Sequence, residues 1–104
     1  MHRIEKLKAF LAENPRDNFL QHALALELIK IGDDGSAEGL FREILSRDDN
    51  YTGSYYHLGK LLERKGEIDE AIAVYEKGMY ACKIANDKHA LNELMMAKDE
   101  LTDE

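Results

Sequence analysis

Cysteine occurs once in the chain, at Cys82, and proline once, at Pro15. A lone thiol can form neither an intrachain disulfide nor a thiolate metal cluster, so Cys82 reads as a buried apolar group suited to a reducing compartment. With so little proline, and glycines falling mostly between apolar segments, the chain is punctuated as helices joined by short turns. No stretch of four or more residues alternates apolar with polar between turn signals, so strands are not expected. Long apolar runs are missing too, and Met1-His2-Arg3-Ile4-Glu5-Lys6 is charged, with no apolar signal segment behind it. The expectation is a cytoplasmic location with no membrane contact. Lys98-Asp99-Glu100-Leu101 spells a retention address, but that address is read only at the extreme C-terminus, and Thr102-Asp103-Glu104 follow it.

Catalytic constellations are equally scarce. His2, His22, His57 and His89 fall one to a helix, and there is no His-Glu-x-x-His pair, no glycine-rich phosphate loop and no Gly-x-Ser-x-Gly turn. The acid pairs Asp33-Asp34, Asp48-Asp49 and Asp99-Glu100 lie in turns or near the terminus, where solvated capping accounts for them. We therefore expect no enzyme, no catalytic residue, no cofactor and no metal. A remote alternative is a metal- or pH-responsive pair made by His22 and His57 across adjacent helices.

What remains is a chain of 104 residues, 44% hydrophobic and 34% charged. That is enough apolar material for one compact domain and too much for a disordered chain. The apolar spacing predicts five or six helices. The first runs from about Arg3 to Glu13, with Ile4, Leu7, Phe10 and Leu11 on one stripe. Asn14-Pro15 closes it and opens the second as N-cap and first helical position, and the second then runs from about Arg16 to Ile31 and stops at Gly32. Asp33, Asp34 and Ser36 offer capping oxygens to a third helix, reaching about Arg47 with Ala37, Leu40, Phe41, Ile44 and Leu45 inward. The fourth spans about Thr52 to Gly66. A long fifth carries Ala71, Ile72, Tyr75, Met79 and Cys82 until Asn86-Asp87 breaks or kinks it. Lys88 to Leu101 places Leu91, Leu94, Met95 and Leu101 at helical spacing, with Met95 expected on the fifth helix and Met96 near a groove edge.

Sliding the sequence on itself by 34 residues pairs Leu24 with Leu58, Leu28 with Leu62, Gly32 with Gly66, Ala37 with Ala71, Phe41 with Tyr75 and Leu45 with Met79, without a gap. A helix-turn-helix of that period, with Tyr55, Leu58, Gly59, Leu62, Ala71, Tyr75 and Gly78 at the motif positions, resembles the tetratricopeptide repeat family. Gly59 and Gly78 sit inside helices, where glycine costs about 1 kcal/mol against alanine, so close helix approach is expected at both. The first repeat has Gln21 at the aromatic position and Ala25 for the glycine, and Gly39 has no motif role.

The resemblance implies an all-α, right-handed superhelical stack of antiparallel helix-turn-helix repeats in a single domain, 1–104. Its expected parts are an N-terminal half-repeat helix (1–14), repeat 1 (15–50), repeat 2 (51–85) and a C-terminal capping helix (86–104). In this family the first helix of each repeat lines a concave groove that receives a peptide or a partner helix. Carried over by position, the groove residues are His22, Leu26, Ile29 and Lys30 from repeat 1, and Tyr56, Lys60, Glu63 and Arg64 from repeat 2. The implied function is a protein-interaction scaffold. The clamp that some members close on chaperone tails is not expected: His22, Leu26 and His57 stand where lysine and asparagines belong, and Asp87 and Ala90 where basic groups do.

Residues 15–32 carry no net charge and 51–66 carry +2, so in a chain of net −7 the remainder holds −9. A neutral-to-basic inner wall favours an acidic peptide and disfavours nucleic acid, whose phosphates need a basic stripe. A second expectation, from a different class, is self-association as a homodimer through the apolar end faces of so short a stack.

Overall fold

A computed structural model describes residues 2–102, and Met1, Asp103 and Glu104, the outermost residues of the expected terminal segments, lie outside the described residues. Six α-helices follow one another: α1 (His2–Glu13), α2 (Asn18–Lys30), α3 (Asp34–Arg47), α4 (Gly53–Arg64), α5 (Ile68–Ala85) and α6 (Lys88–Thr102), with no strand among the described residues. None of these helices is long and apolar enough to cross a membrane. The chain divides into two compact units, 1–47 with α1 to α3 and 48–104 with α4 to α6.

In the first unit α2 packs between α1 and α3. The stripe expected on α1 is narrower than the sequence suggests. Ile4 and Leu7 are buried, but Phe10 is 56% exposed and Leu11 only half-buried. The helix packed against α1 is α2, and Phe10 stays open where Ile44, one period later, is fully enclosed, whereas Leu11 and Leu45 are both half-buried. The start of α2 also differs from expectation. Pro15 and Arg16 form a turn, and Asp17 is the cap, its Oδ1 accepting the Leu20 N–H at 3.0 Å. Asn14 belongs instead to the end of α1, where its N–H donates to the Phe10 carbonyl at 3.0 Å.

Gln21, which breaks the aromatic pattern, is buried and fully engaged. Its Nε2 donates to the Pro15 carbonyl and to Glu43 Oε2, both at 3.0 Å, and its Oε1 accepts from Arg47 Nη2. Arg47 also reaches Asn18 Oδ1 at 2.8 Å, so a polar network joins α2 to α3 where the motif would place a ring. Gln21 and then Arg47 hold the Glu43 carboxyl below its ordinary range.

α2, α4 and α5 end in the same way. Gly32 (φ 85°), Gly66 (φ 87°) and Asn86 (φ 58°) take the left-handed conformation, and the next residue's N–H reaches back to the carbonyl of Leu28, Leu62 or Cys82, each at 2.9 Å. That next residue then opens a helix: the Asp33, Glu67 and Asp87 carbonyls accept from Ala37, Ala71 and Leu91. Asp33 also caps α3 with its side chain, accepting the Ser36 N–H at 3.2 Å. Asn86 therefore breaks the chain rather than kinking it, and α6 is a separate helix.

The second unit is held by two close approaches. A Cβ on Gly59 of α4 would overlap the ring of Tyr75 on α5, which is fully buried there. A Cβ on Gly78 would come within 2.6 Å of Tyr55 Cβ on α4 and 2.8 Å of Leu94 Cδ1 on α6, so Gly78 marks where three helices meet. The buried residues of α6 are Leu94 and Ala97, with Leu91 half-buried. They follow Leu58, Leu61 and Tyr55 by 36 positions, not 34: α5 has 18 residues where α3 has 14, and Asn86 and Asp87 alone link it to α6 where residues 48–52 link α3 to α4. This shift leaves Met95, expected against α5, 42% exposed. Lys98 ties α6 to α5 through Glu76 at 3.0 Å.

Candidate functional site

Where α4 and α6 run side by side, a recess of about 230 Å³ opens between them, lined by Tyr56 and Lys60 from α4 and by Glu93, Met96, Ala97 and Glu100 from α6. Both sets follow helical spacing. Tyr56 and Lys60 are one turn apart, and the α6 residues recur at intervals of three and four, so each helix turns a single face to the recess. Asp87 fixes the relation between the two helices at one end. Its Oδ1 caps α6 by accepting the Ala90 N–H at 3.1 Å, and its Oδ2 accepts the Thr52 hydroxyl at 3.0 Å, just before α4 begins.

The recess is amphipathic. Tyr56, Met96 and Ala97 supply apolar surface, and Lys60 extends its ammonium among acceptors. Its Nζ lies 3.5 Å from Glu63 and 3.6 Å from Glu100, and 5.6 Å from the centre of the Tyr56 ring. Glu63 in turn accepts a short hydrogen bond from the Tyr75 hydroxyl. Burial, reinforced by that carboxylate, pushes the Tyr75 phenol far above its ordinary value, so it stays a donor. His57 follows Tyr56 with its ring 5.5 Å away and edge-on. Burial pushes its imidazole down despite the opposing charge of Glu93, which keeps it neutral at physiological pH.

Of the groove residues expected from repeat 2, Tyr56 and Lys60 line the recess. Glu63 stands behind Lys60 as its partner, and Arg64 is exposed in the last turn of α4 and is not a lining residue. In the first unit, His22 is half-buried with its ring 5.4 Å from that of Phe41, so it serves in packing as well as on the surface. Leu26 and Ile29 are half-buried, and Lys30 is exposed with its ammonium 3.1 Å from Glu27, which Arg3 also meets at 3.2 Å. The hydrogen bond from Lys30, ahead of the Arg3 charge, holds the Glu27 carboxyl low.

Sequence reasoning missed Glu93 and Glu100, because it assigned all acidic charge outside the first-half helices to the body of the protein. The signal was available in the 36-residue offset, which places Met96 after Lys60 and Glu100 after Arg64. With α6 as a wall, the recess holds two carboxylates against one ammonium, not the neutral-to-basic surface that the first-half helices alone suggest. A larger hollow of about 500 Å³ over Glu13, Asn14, Pro15, Arg16 and Asp17 is the outside of one turn, formed by consecutive residues and not by converging elements. Among the described residues, no three His, Cys, Asp or Glu side chains converge as metal ligands.

Comparison with known proteins agrees with this geometry. Residues 52–83 match the family model described as tetratricopeptide repeat. The crystal structure of a tetratricopeptide repeat domain protein from Salinibacter ruber is 38% identical, with a TM-score of 0.80 over 83% of this chain and 96% of that one. A solution structure from Bordetella parapertussis, 25% identical, has a TM-score of 0.82 over 95% of this chain and 86% of the other. Mouse interferon-induced protein with tetratricopeptide repeats 3 is 28% identical over 76 residues, and the chain spans 19% of its length. The glycine-to-aromatic contacts at Gly59 and Gly78 and a 38%-identical relative covered almost end to end lead to one assignment: the chain belongs to the tetratricopeptide repeat family.

Proposed function

We propose that this chain is a protein-interaction scaffold that takes a peptide segment of another protein into the recess between α4 and α6. The fold is in general that of a non-enzymatic interaction module. The observation that carries the reading is the convergence of Tyr56, Lys60 and Met96 on one recess. It combines a rigid amphipathic ring, a flexible thioether and a charged rim, the composition from which interface anchors are built. The equivalent face of the first unit, with His22, Leu26, Ile29 and Lys30, is proposed as a contact face in its own right. The acidic ligand expected from the first-half helices fits that face better than the α4–α6 recess, where Glu93 and Glu100 oppose it.

The test is selection of binders from a random linear-peptide display library on the full chain, followed by amide chemical-shift mapping. Shifts centred on Tyr56, Lys60 and Met96 are expected. Shifts centred instead on the outer face of α5 would remove the recess from the reading. That outer face supports the second reading, self-association, because Tyr80 and Ile84 lie one turn apart and are largely exposed. Sedimentation at graded concentrations distinguishes the two, since a concentration-independent monomer leaves peptide capture as the function.

A further inference from the structure

Resting on the reading that the α4–α6 recess takes a peptide, we infer that the recess selects a cationic side chain: a lysine or arginine whose charge settles at Glu93 while an adjacent apolar residue lies on Met96 and Tyr56. The argument is charge complementarity. Glu93 and Glu100 are two helical turns apart on the same face of α6, about 10 Å along the axis, with Met96 and Ala97 between them. The Glu100 end is already neutralised by Lys60, whose ammonium also meets Glu63 and faces the Tyr56 ring. The Glu93 end is different. The ion pair of Glu93 is with the exposed imidazole of His89 at 3.7 Å, and the imidazole of His57 also feels the Glu93 charge, so imidazoles stand where Lys60 stands at the other end. The recess therefore presents one carboxylate paired with a lysine ammonium and one, beside an imidazole, that a ligand's cation completes.

Lys60 shows within the molecule what such a cation gains, since carboxylate and aromatic ring together hold an ammonium that is only partly exposed. An acidic ligand would meet Glu93 and Glu100 with like charge, which suppresses binding.

The experiment uses the full chain, the best-enriched peptide from the display selection, and two variants with the same change in net charge: Glu93→Lys in the recess and Glu13→Lys on α1. Circular dichroism melts establish that both fold. The enriched peptides are expected to carry lysine or arginine beside an apolar residue. Glu93→Lys should weaken the selected peptide at least about tenfold by fluorescence anisotropy, and Glu13→Lys should leave it within about twofold. Replacing the peptide's basic residue by methionine should remove most of the Glu93→Lys effect, as a double-mutant cycle requires. Peptides that shift Tyr56 and Met96 but carry acidic or uncharged residues, or equal affinities for the two variants, overturn the cation preference and leave the recess reading standing. Failure to find any peptide that shifts Tyr56 or Met96 removes both.

Discussion

Gly59 and its neighbour Lys60 show how differently adjacent residues of one helix can matter. The space that a Gly59 side chain would occupy is taken by the ring of Tyr75, and that ring is enclosed on all sides and cannot swing away. Gly59→Ala is therefore expected to destabilise the protein by about 2 kcal/mol despite the better helix propensity of alanine, and Gly59→Leu by more. Lys60→Ala removes surface ion pairs with Glu63 and Glu100 and should stay within about 0.5 kcal/mol. Urea denaturation checks both, and equal losses would contradict the packing described. The glycine pattern made Gly59 and Gly78 legible as close-approach positions. It could not reveal Gln21, because a buried amide is recognisable only from the partners that satisfy it, and Glu43 and Arg47 lie on another helix.

Helix ends and helix interiors allow separate tests at the scale of elements. Gly39 lies in the middle of α3, and a Cβ there would meet nothing within 4 Å. No packing reason opposes a side chain, so Gly39→Ala should stabilise the protein by about 0.5–1 kcal/mol in the same assay. Asp87 carries two duties, capping α6 and binding the Thr52 hydroxyl. Asp87→Ala should cost about 1–2 kcal/mol, with the first-turn amides of α6 losing their helical chemical shifts before those of α5. The Asn86-Asp87 break and the inward Leu91 and Leu94 of α6 were legible in the sequence, but the rest of that face was not: Ala97 is buried where Met95 was expected, and Met95 is left exposed.

For the molecule as a whole, buried phenols and a thiol bound the pH range of stability on the alkaline side, and a half-buried imidazole and two hydrogen-bonded carboxylates on the acid side. Burial raises the ionisation of Tyr75 and Tyr55 above about 10 and that of Cys82 above about 9. Unfolding releases these groups to ionise at ordinary values, so their contribution is full below that range and is lost as the pH rises through it. His57 is lowered from 6.5, and Glu27 and Glu43 from 4.5, so their contributions are present above those values and lost as the pH falls. The expected profile is a plateau of melting temperature from about pH 7 to 9, with a shallow acid limb and a steeper alkaline one. Thermal melts at stepped pH test this. Tyr75→Phe should flatten the alkaline limb, and an unchanged limb would show that the phenol is not the group responsible.

The sequence alone determined the helical class, the order of the first five helices and the family resemblance, because those properties are local: apolar spacing, glycine at left-handed positions and a repeat of fixed length are all written along the chain. That α6 is a separate helix was decided by the left-handed turn at Asn86. The recess was decided by tertiary structure. Which charges stand opposite Lys60 depends on the rotation of α6 about its own axis, and that rotation follows from where Leu94 meets Gly78 of α5. Packing of one buried leucine thereby placed Glu93 and Glu100 in the wall of a groove that the repeat pattern alone would have left neutral or basic.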